Sequence, residues 1–201
     1  FDIIMHQPGR LTEIEGIGEK KVEMISKSFA EQIDIKEIMM FLQGHGISTS
    51  YGVKIYKQYG KNTINVITEN PYKLTDDIYG IGFKLADKIA FSLGVEKESP
   101  YRTSSGIKYS LTELASNGHS YVPYDMLIEN VNKLLEIDFD IIEDEIKNMA
   151  FQGKIYIENI SDEKVVYYIP YHNAEINVCK NLINLANSDY EIHGNEILSH
   201  M

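Results

Sequence analysis

Cysteine is almost absent from this chain, and its scarcity excludes two kinds of site. The 201 residues contain a single cysteine, Cys179, so neither an intrachain disulfide nor a zinc site built from thiolates is available. This usage fits a reducing compartment.

Long apolar runs are also missing, and the first ten residues lack the charged and apolar regions of a signal peptide. We therefore expect a soluble, cytoplasmic protein with no membrane partner. Because the chain opens with Phe1 rather than Met, we also expect a piece of a longer protein.

Basic residues are outnumbered by acidic ones, 19 to 30, and the formal net charge is −11. Such a balance argues against a nucleic-acid partner, which requires a basic surface. The charge is uneven, however: residues 1–100 carry a net −2, and residues 101–201 carry a net −9. Residues 38–68 contain no acidic side chain at all. The basic residues of that stretch are Lys54, Lys57 and Lys61. The overall charge therefore does not exclude DNA for the first half.

A sequence repeat is the main feature of the first hundred residues. The segment IEGIGEKKVEMI at 14–25 recurs as IYGIGFKLADKI at 78–89, an offset of 64 positions. Both copies carry Gly-Ile-Gly, followed by apolar residues four and seven positions after the second glycine. A weaker copy places Gly46-Ile47-Ser48 at the Gly-Ile-Gly position. The spacings of 30 and 34 residues match the length of one helix-turn-helix unit.

The apolar spacing around these copies is helical. Residues 35–42 follow the i, i+3, i+4, i+7 pattern, and further apolar residues continue at 53–59. Glycine at position 60 is placed to end the second helix. A short helix ends at Asn70-Pro71, and another runs from Phe83 to Gly94. We predict that residues 1–97 form an all-α array of tandem helix pairs joined by Gly-apolar-Gly turns.

The turn itself is suited to binding an anion. Two glycines around an aliphatic residue allow a tight turn, with one glycine at positive φ and the aliphatic side chain between the helices. The following residue begins a helix, whose first N–H groups lack intrahelical acceptors and whose dipole is positive there. Such a turn can hold a phosphate oxygen without reading any base.

These residues resemble the helix-hairpin-helix motif of DNA-repair and recombination proteins, with the pattern apolar-x-Gly-apolar-Gly-x-x-x-Ala/Val-x-x-Ile. Residues 46–60, the segment ENPYKL at 69–74 and the segment DIYGIGFK at 77–84 are similar to the N-terminal region of RecD-like ATP-dependent DNA helicases. Those helicases are relatives of the exodeoxyribonuclease V alpha subunit. The resemblance implies tandem hairpins that engage DNA ahead of a motor in the same chain. It also implies a monovalent cation held by hairpin carbonyls.

One element of a helicase is missing from the sequence. No Gly-x-x-x-x-Gly-Lys-Ser/Thr phosphate loop occurs, so no ATP site and no catalytic residue can be assigned. If the resemblance holds, the motor domains with their ATP and Mg²⁺ lie C-terminal to residue 201. We therefore predict a non-catalytic fragment of a helicase, whose own cofactor is at most the hairpin cation.

Residues 98–172 have the element order of a winged helix, three helices followed by a two-stranded β-hairpin at 155–157 and 165–169. Winged helices often place their third helix in the major groove. Here that helix is strongly acidic, so we expect a structural spacer or a docking surface instead. Its acidic residues are Asp138, Asp140, Glu143, Asp144 and Glu145. Residues 173–201 are predicted to be a further helix leading toward the motor, plus a polar tail.

Candidate phosphate contacts come from all three turns and the lysines beside them. The second turn has the least acidic surroundings, and the Ser48 hydroxyl adds a donor. The third turn has two lysines against three aspartates, and the first is surrounded by glutamates. An ordinary solvated helix face is the alternative interpretation of these lysines. The candidates are Gly16, Ile17, Gly18, Lys20, Gly46, Ser48, Lys54, Lys57, Lys61, Gly80, Ile81, Gly82, Lys84 and Lys88.

Other residue patterns have plainer interpretations. Four tyrosines are candidates for stacking on unpaired bases. They are Tyr51, Tyr56, Tyr59 and Tyr79, and the spacing of the middle two favours packing. The six histidines show no metal-ligand spacing and are predicted at the surface. The carboxylates at 138–145 indicate a helix start rather than a cation site.

Three functions follow from these patterns. The main hypothesis is sequence-independent binding of single-stranded or forked DNA. The second is a protein-interaction module, in which the hairpins are structural and the acidic half docks a partner. The third is a helix-hairpin-helix DNA glycosylase or lyase, which would need a lysine or aspartate in a base pocket, and no convincing candidate is present.

Overall fold

The computed structural model describes residues 2–116 and 118–187, and this part of the chain is mainly helical with one small sheet. It separates into two compact units, of which the first ends at Ser105 and the second begins at Gly106. This division lies within the helix Pro100–Ser116, whereas the sequence analysis predicted a limit at residue 97. The sequence-based domain limits at 97 and 172 stay predictions.

The first unit consists of helices and turns. Its α-helices are α1 (Asp2–His6), α2 (Glu19–Gly44), α3 (Thr49–Tyr59), α4 (Thr63–Glu69), α5 (Leu74–Asp77), α6 (Phe83–Ser92) and the first residues of α7 (Pro100–Ser116). Three 3₁₀ segments, at Pro8–Glu13, Gly60–Asn62 and Pro71–Lys73, connect them. The predicted stops are confirmed for α3, α4 and α6. Helix α2 is a single element of 26 residues, because its sequence contains neither proline nor glycine before Gly44.

The core of the first unit is built from the apolar faces predicted around the repeat. Leu42, Ile55 and Ile67 are fully buried, as are Ala86 and Ile89 of the third copy. Burial of aliphatic side chains of this size supplies about 1.5–3 kcal/mol each, so these faces hold the helices together.

Helices α2 and α3 approach closely at Gly52. A Cβ atom at that position would lie 2.9 Å from Met39 Cε. The absence of a side chain therefore brings the helix after the second turn against the helix before it.

The second unit combines helices with a three-stranded antiparallel sheet. It contains the rest of α7, β1 (Val122–Pro123), α8 (Tyr124–Leu135), α9 (Phe139–Phe151), β2 (Ile155–Ile160), β3 (Glu163–Tyr168) and α10 (Ile169–Ala186). The strand order is β1-β3-β2. Val166 of β3 pairs with Val122 on one side and Ile157 on the other. The predicted β-hairpin is thus present. The two residues before α8 add a third strand that was not predicted.

The sheet packs with α8 and α9 to form the second core. Leu127 and Val131 of α8, Ile142 and Ile146 of α9 and Val165 of β3 have no exposed area. The buried positions in α8 and α9 follow the helical spacing of the apolar residues of these two helices.

Helix α10 begins at Ile169, four residues before the predicted limit at residue 173, with proline in its first turn. None of its residues is buried. The predicted polar tail at 188–201 lies outside the described residues. Within the described part of the chain, no helix is both long and apolar enough to span a membrane.

Candidate nucleic-acid interface

The three predicted turns share one backbone feature at their first glycine. Gly16, Gly46 and Gly80 have φ angles of +88°, +78° and +97°. Side chains other than glycine adopt this left-handed region at a cost, which explains why each copy of the repeat has glycine there. The weak second copy therefore shares the backbone conformation of the other two at its first glycine.

The first and third turns match in further detail. Ile17 N donates to the Ile14 carbonyl at 3.1 Å, and Ile81 N donates to the Ile78 carbonyl at the same distance. The next residue caps the following helix in both, with φ and ψ of −91° and 171° in the first turn and −93° and 174° in the third. Burial differs, because Ile81 is 3% exposed whereas Ile17 is only half-buried. The third turn is therefore the better packed of the two.

The second turn reaches a similar shape through a serine. Ile47 is buried, and its N–H donates to the Leu42 carbonyl at 3.0 Å. Ser48 caps α3, where its Oγ accepts a hydrogen bond from Tyr51 N at 3.5 Å and lies 3.0 Å from Ser50 Oγ. The hydroxyl proposed as a phosphate donor thus already has a capping role.

Each turn is followed directly by a helix of ten or more residues. Lys21 N and Leu85 N donate to the carbonyls of Gly18 and Gly82 at 2.9 and 3.1 Å, which begins the ladders of α2 and α6. The amides before them precede that ladder, at the positive end of the helix dipole. This is the arrangement that favours an anion.

Lysine ammonium groups already contact the carbonyls of two turns. Lys21 Nζ donates to the Gly16 carbonyl at 2.8 Å, and Lys54 Nζ donates to the Tyr79 carbonyl at 3.3 Å. The next carbonyl, that of Gly80, accepts from the Tyr51 hydroxyl at 2.8 Å. A monovalent cation at the first or third turn would compete with these donors, so the carbonyls present fit that predicted cation poorly.

The acid-free stretch is less isolated in the fold than in the sequence. Lys54 and Lys57 are exposed, but Lys61 Nζ lies 2.6 Å from Asp34 Oδ2 on α2. The hydrogen bond to Asp34 raises the pKa of Lys61, and the charge of Glu31 adds to the effect. Lys61 is thus partly neutralised by a carboxylate 27 positions earlier in the chain.

Comparison with known proteins identifies the region that carries the second and third turns. Residues 31–121 match the family model of the ATP-dependent RecD2 DNA helicase HHH domain, where HHH stands for helix-hairpin-helix. Residues 31–121 are thus similar to a RecD2-type helix-hairpin-helix domain. The resemblance found in the sequence is therefore confirmed, and the first turn lies outside the matched range.

A relative supports the same assignment over a longer stretch. The ATP-dependent RecD2 DNA helicase of Deinococcus radiodurans is 27% identical over 125 residues. The alignment covers 61% of this chain and 17% of the relative. The chain thus spans about a sixth of the length of that helicase.

The RecD2-type domain contains a buried ion pair that the sequence analysis missed. Arg102 at the start of α7 donates to both carboxylate oxygens of Asp87 on α6, at 2.9 and 3.2 Å. Tyr72 donates to the same carboxylate at 2.6 Å. Burial, and then this hydrogen bond, raises the pKa of Tyr72. No local pattern joins residues 72, 87 and 102, so only their packing reveals the cluster.

This ion pair changes the charge balance of the third turn. In the sequence analysis, Asp87 was counted as an acidic residue that offsets Lys84 and Lys88. Both lysines are exposed. In the fold the charge of Asp87 is matched by Arg102, while Asp77 accepts a hydrogen bond from the Tyr59 hydroxyl at 2.7 Å. Asp87, one of the three aspartates near the third turn, therefore has its charge matched by a cation outside the turn.

The carboxylates of α9 and the histidines are the remaining residues that the sequence analysis considered. The helix start indicated by the carboxylates at 138–145 is present, with Asp138 as the N-cap of α9, but the Asp138 side chain makes no capping hydrogen bond. Among the described residues, no group of three His, Cys, Asp or Glu side chains is placed to hold a metal ion. Two of the described histidines are half-buried: His45 is hydrogen-bonded to Ser92, and the His172 ring centroid lies 4.1 Å from that of Tyr156. His193 and His200 lie outside the described residues.

Proposed function

We propose that this chain is a sequence-independent DNA-binding region of a RecD-like helicase, which holds DNA phosphates on the backbone amides of its turns. The observation that carries the proposal is the shared backbone of the three turns, within and beside a RecD2-type domain. Amides at a helix start, together with the dipole, favour phosphate oxygens and give affinity without sequence specificity.

The third turn is the main contact in this proposal. It has the buried isoleucine, the well-formed helix start and the exposed lysines Lys84 and Lys88. Lys54 reaches it from α3. The second turn contributes Gly46, Ser48 and Lys57, and the first contributes Gly16, Ile17, Gly18 and Lys20. Lys61 contributes less, because it is paired with Asp34.

The second unit supports the DNA-binding region without holding DNA through α9. Its element order and sheet order β1-β3-β2 favour the winged-helix interpretation. Asp140, Glu143, Asp144 and Glu145 on α9 would repel phosphate, and Lys147 is engaged by Glu143 and Asp144. We therefore assign this unit the role of a spacer or docking surface.

The remaining functional expectations concern the longer protein. They comprise motor domains in cis with ATP and Mg²⁺, a preference for single-stranded or forked DNA, a relationship to exodeoxyribonuclease V, a role in repair or recombination, and a cytoplasmic location. The family of the helix-hairpin-helix domain supports a helicase setting for all of them.

A protein-interaction module is the second candidate function. The observation in its favour is the exposed apolar side chains of α10 in an acidic unit. These are Ile176, Val178, Leu182, Ile183 and Leu185. In that case the turns would be purely structural, and no DNA affinity would be measured.

Salt-dependent DNA binding distinguishes the two candidates. Fluorescence anisotropy with mixed-sequence DNA should show affinity that falls with salt, with a log–log slope of about −0.7 to −0.9 per phosphate contacted. Lys84→Glu should weaken binding and reduce that slope by about 1. Lys61→Glu should have a smaller effect, since Asp34 already offsets that charge.

The matched control is Lys133→Glu, which makes the same charge change on the exposed surface of the second unit. It should leave the affinity unchanged. If the unaltered chain binds no DNA at low salt, or binds it without a negative slope, the DNA-binding proposal is wrong and the interaction module is favoured.

A further inference from the structure

We propose that Tyr79 stacks on an unpaired nucleobase and gives the third turn a preference for single-stranded over duplex DNA. This inference rests on the proposed DNA binding and adds a residue to it. The Tyr79 side chain is 94% exposed, and it lies directly before Gly80, the positive-φ residue of the turn. An aromatic ring kept in water at a phosphate-binding turn is suited to an aromatic ligand.

The backbone that carries Tyr79 is anchored at its own carbonyl and at the next one. Lys54 Nζ donates to the Tyr79 carbonyl, and the Tyr51 hydroxyl donates to the neighbouring Gly80 carbonyl. A Cβ atom on Gly80 would lie 3.1 Å from the Tyr51 hydroxyl, so the two segments are in close contact. A ring held on a fixed backbone loses little entropy when a base stacks on it.

The other candidate tyrosines are engaged within the protein. Tyr51 bonds Gly80 and has the Lys54 ammonium 5.4 Å from its ring centroid. Tyr59 donates to Asp77, and Tyr56 is half-buried in α3. Among these four, the structure therefore leaves Tyr79 as the one suited to stacking.

The repeat offers an internal comparison for this position. The residue before the positive-φ glycine is Glu15 in the first turn, His45 in the second and Tyr79 in the third. Glu15 would repel phosphate, and His45 is hydrogen-bonded to Ser92. The Lys54 ammonium lies beside the Tyr79 carbonyl, where it attracts the backbone of a strand whose base stacks. The third turn alone thus joins an exposed ring to a nearby cation in this way.

The test uses the 201-residue chain and three oligonucleotides of equal length: a mixed-sequence single strand, its blunt duplex and an abasic single strand. Fluorescence anisotropy should show that Tyr79→Ala weakens binding of the mixed-sequence strand roughly 5- to 100-fold. Binding of the duplex and the abasic strand should not change, because neither offers a free base. Tyr79→Phe should restore the single-strand affinity, since the ring rather than the hydroxyl stacks.

A matched control is available in the second unit. Phe151 is 93% exposed, so Phe151→Ala removes an equally exposed ring and should leave all three affinities unchanged. An equal loss on the abasic strand, or no loss on the mixed-sequence strand, would overturn the role of Tyr79 while DNA binding itself stands. Failure of the unaltered chain to bind any of the three ligands would overturn the proposed function as well.

Discussion

Replacement of Asp87 by alanine should destabilise the first unit much more than a comparable change at an exposed ion pair. Asp87 accepts hydrogen bonds from Arg102 Nε at 2.9 Å, from Arg102 Nη2 at 3.2 Å and from the Tyr72 hydroxyl at 2.6 Å. The Arg102 and Asp87 side chains are only 5% and 17% exposed. Water can therefore replace the carboxylate only in part once it is removed.

The expected loss follows from what Arg102 retains. Breaking a buried ion pair by removing one partner costs about 3–5 kcal/mol. Arg102 would keep a hydrogen bond to the Lys97 carbonyl at 3.0 Å and its position 4.9 Å from the centroid of the Phe91 ring. We therefore expect the lower end, about 3 kcal/mol. That is a large share of the roughly 5–15 kcal/mol by which a domain is stable.

Urea unfolding followed by far-UV circular dichroism measures this loss, because the first unit is helical. Asp34→Ala is the matched control, since it also removes an aspartate from a cation. The Lys61–Asp34 pair is shorter, at 2.6 Å, but its side chains are 67% and 38% exposed. Exposed pairs contribute little, so this variant should unfold at nearly the wild-type urea concentration.

The double variant Asp87→Ala, Arg102→Met tests the cause of the loss. It leaves no buried charge behind, so it should recover part of the stability lost in Asp87→Ala alone. Equal and small losses for Asp87→Ala and Asp34→Ala would refute the reasoning, because burial would then not decide the strength of an ion pair in this fold.

Two further predictions concern glycine packing and alkaline stability. Gly106→Ala should lower the thermal stability by about 1–3 kcal/mol, because its Cβ would lie 2.8 Å from Cδ1 of the fully buried Leu135. Gly52→Ala should be nearly neutral, because the close contacts of its Cβ are with the flexible end of half-buried Met39, Leu42 Cδ1 lies at an ordinary 3.5 Å, and alanine favours the helix by about 0.5–1 kcal/mol. Equal losses in the two variants would contradict this. Burial, and then the hydrogen bond to the Asp87 carboxylate, raises the pKa of Tyr72. Tyr72 therefore contributes stability that is present below about pH 10. This stability is lost at higher pH, because the unfolded chain releases the Tyr72 proton before the folded chain does. Tyr72→Phe should therefore show a shallower alkaline fall in urea midpoint, and an unchanged pH profile would argue against it.

The turns could be predicted from the sequence because their cause is local. A positive φ at Gly16, Gly46 and Gly80 requires glycine, and the helix that follows requires apolar residues at fixed spacing. The same locality applies to the hairpin turn at Ser161 and Asp162, where both residues have positive φ and join β2 to β3. Helix ends, the inward faces of helices and the order of elements are likewise features that neighbouring residues determine.

The charges of the candidate interface could not be predicted in this way, because they depend on partners far apart in the chain. Lys61 stood in an acid-free stretch of sequence, yet α2 brings Asp34 to it. Asp87 stood among the lysines of the third turn, yet Arg102 takes up its charge. Counting charges along the chain therefore gave the second turn the least acidic surroundings, whereas the pairing of Asp87 with Arg102 supports our proposal that the third turn is the main contact.

The sequence by itself determined where the chain turns, which faces of its helices are apolar and which helicase family its hairpin domain resembles. Each of these depends on residues within one or two helical turns of each other. Only the tertiary structure decided which cations stay exposed beside the turns and which tyrosine keeps its ring in water. Electrostatic and hydrogen-bond partners act through space, and α2, α3 and α6 bring together residues that lie 15 to 29 positions apart.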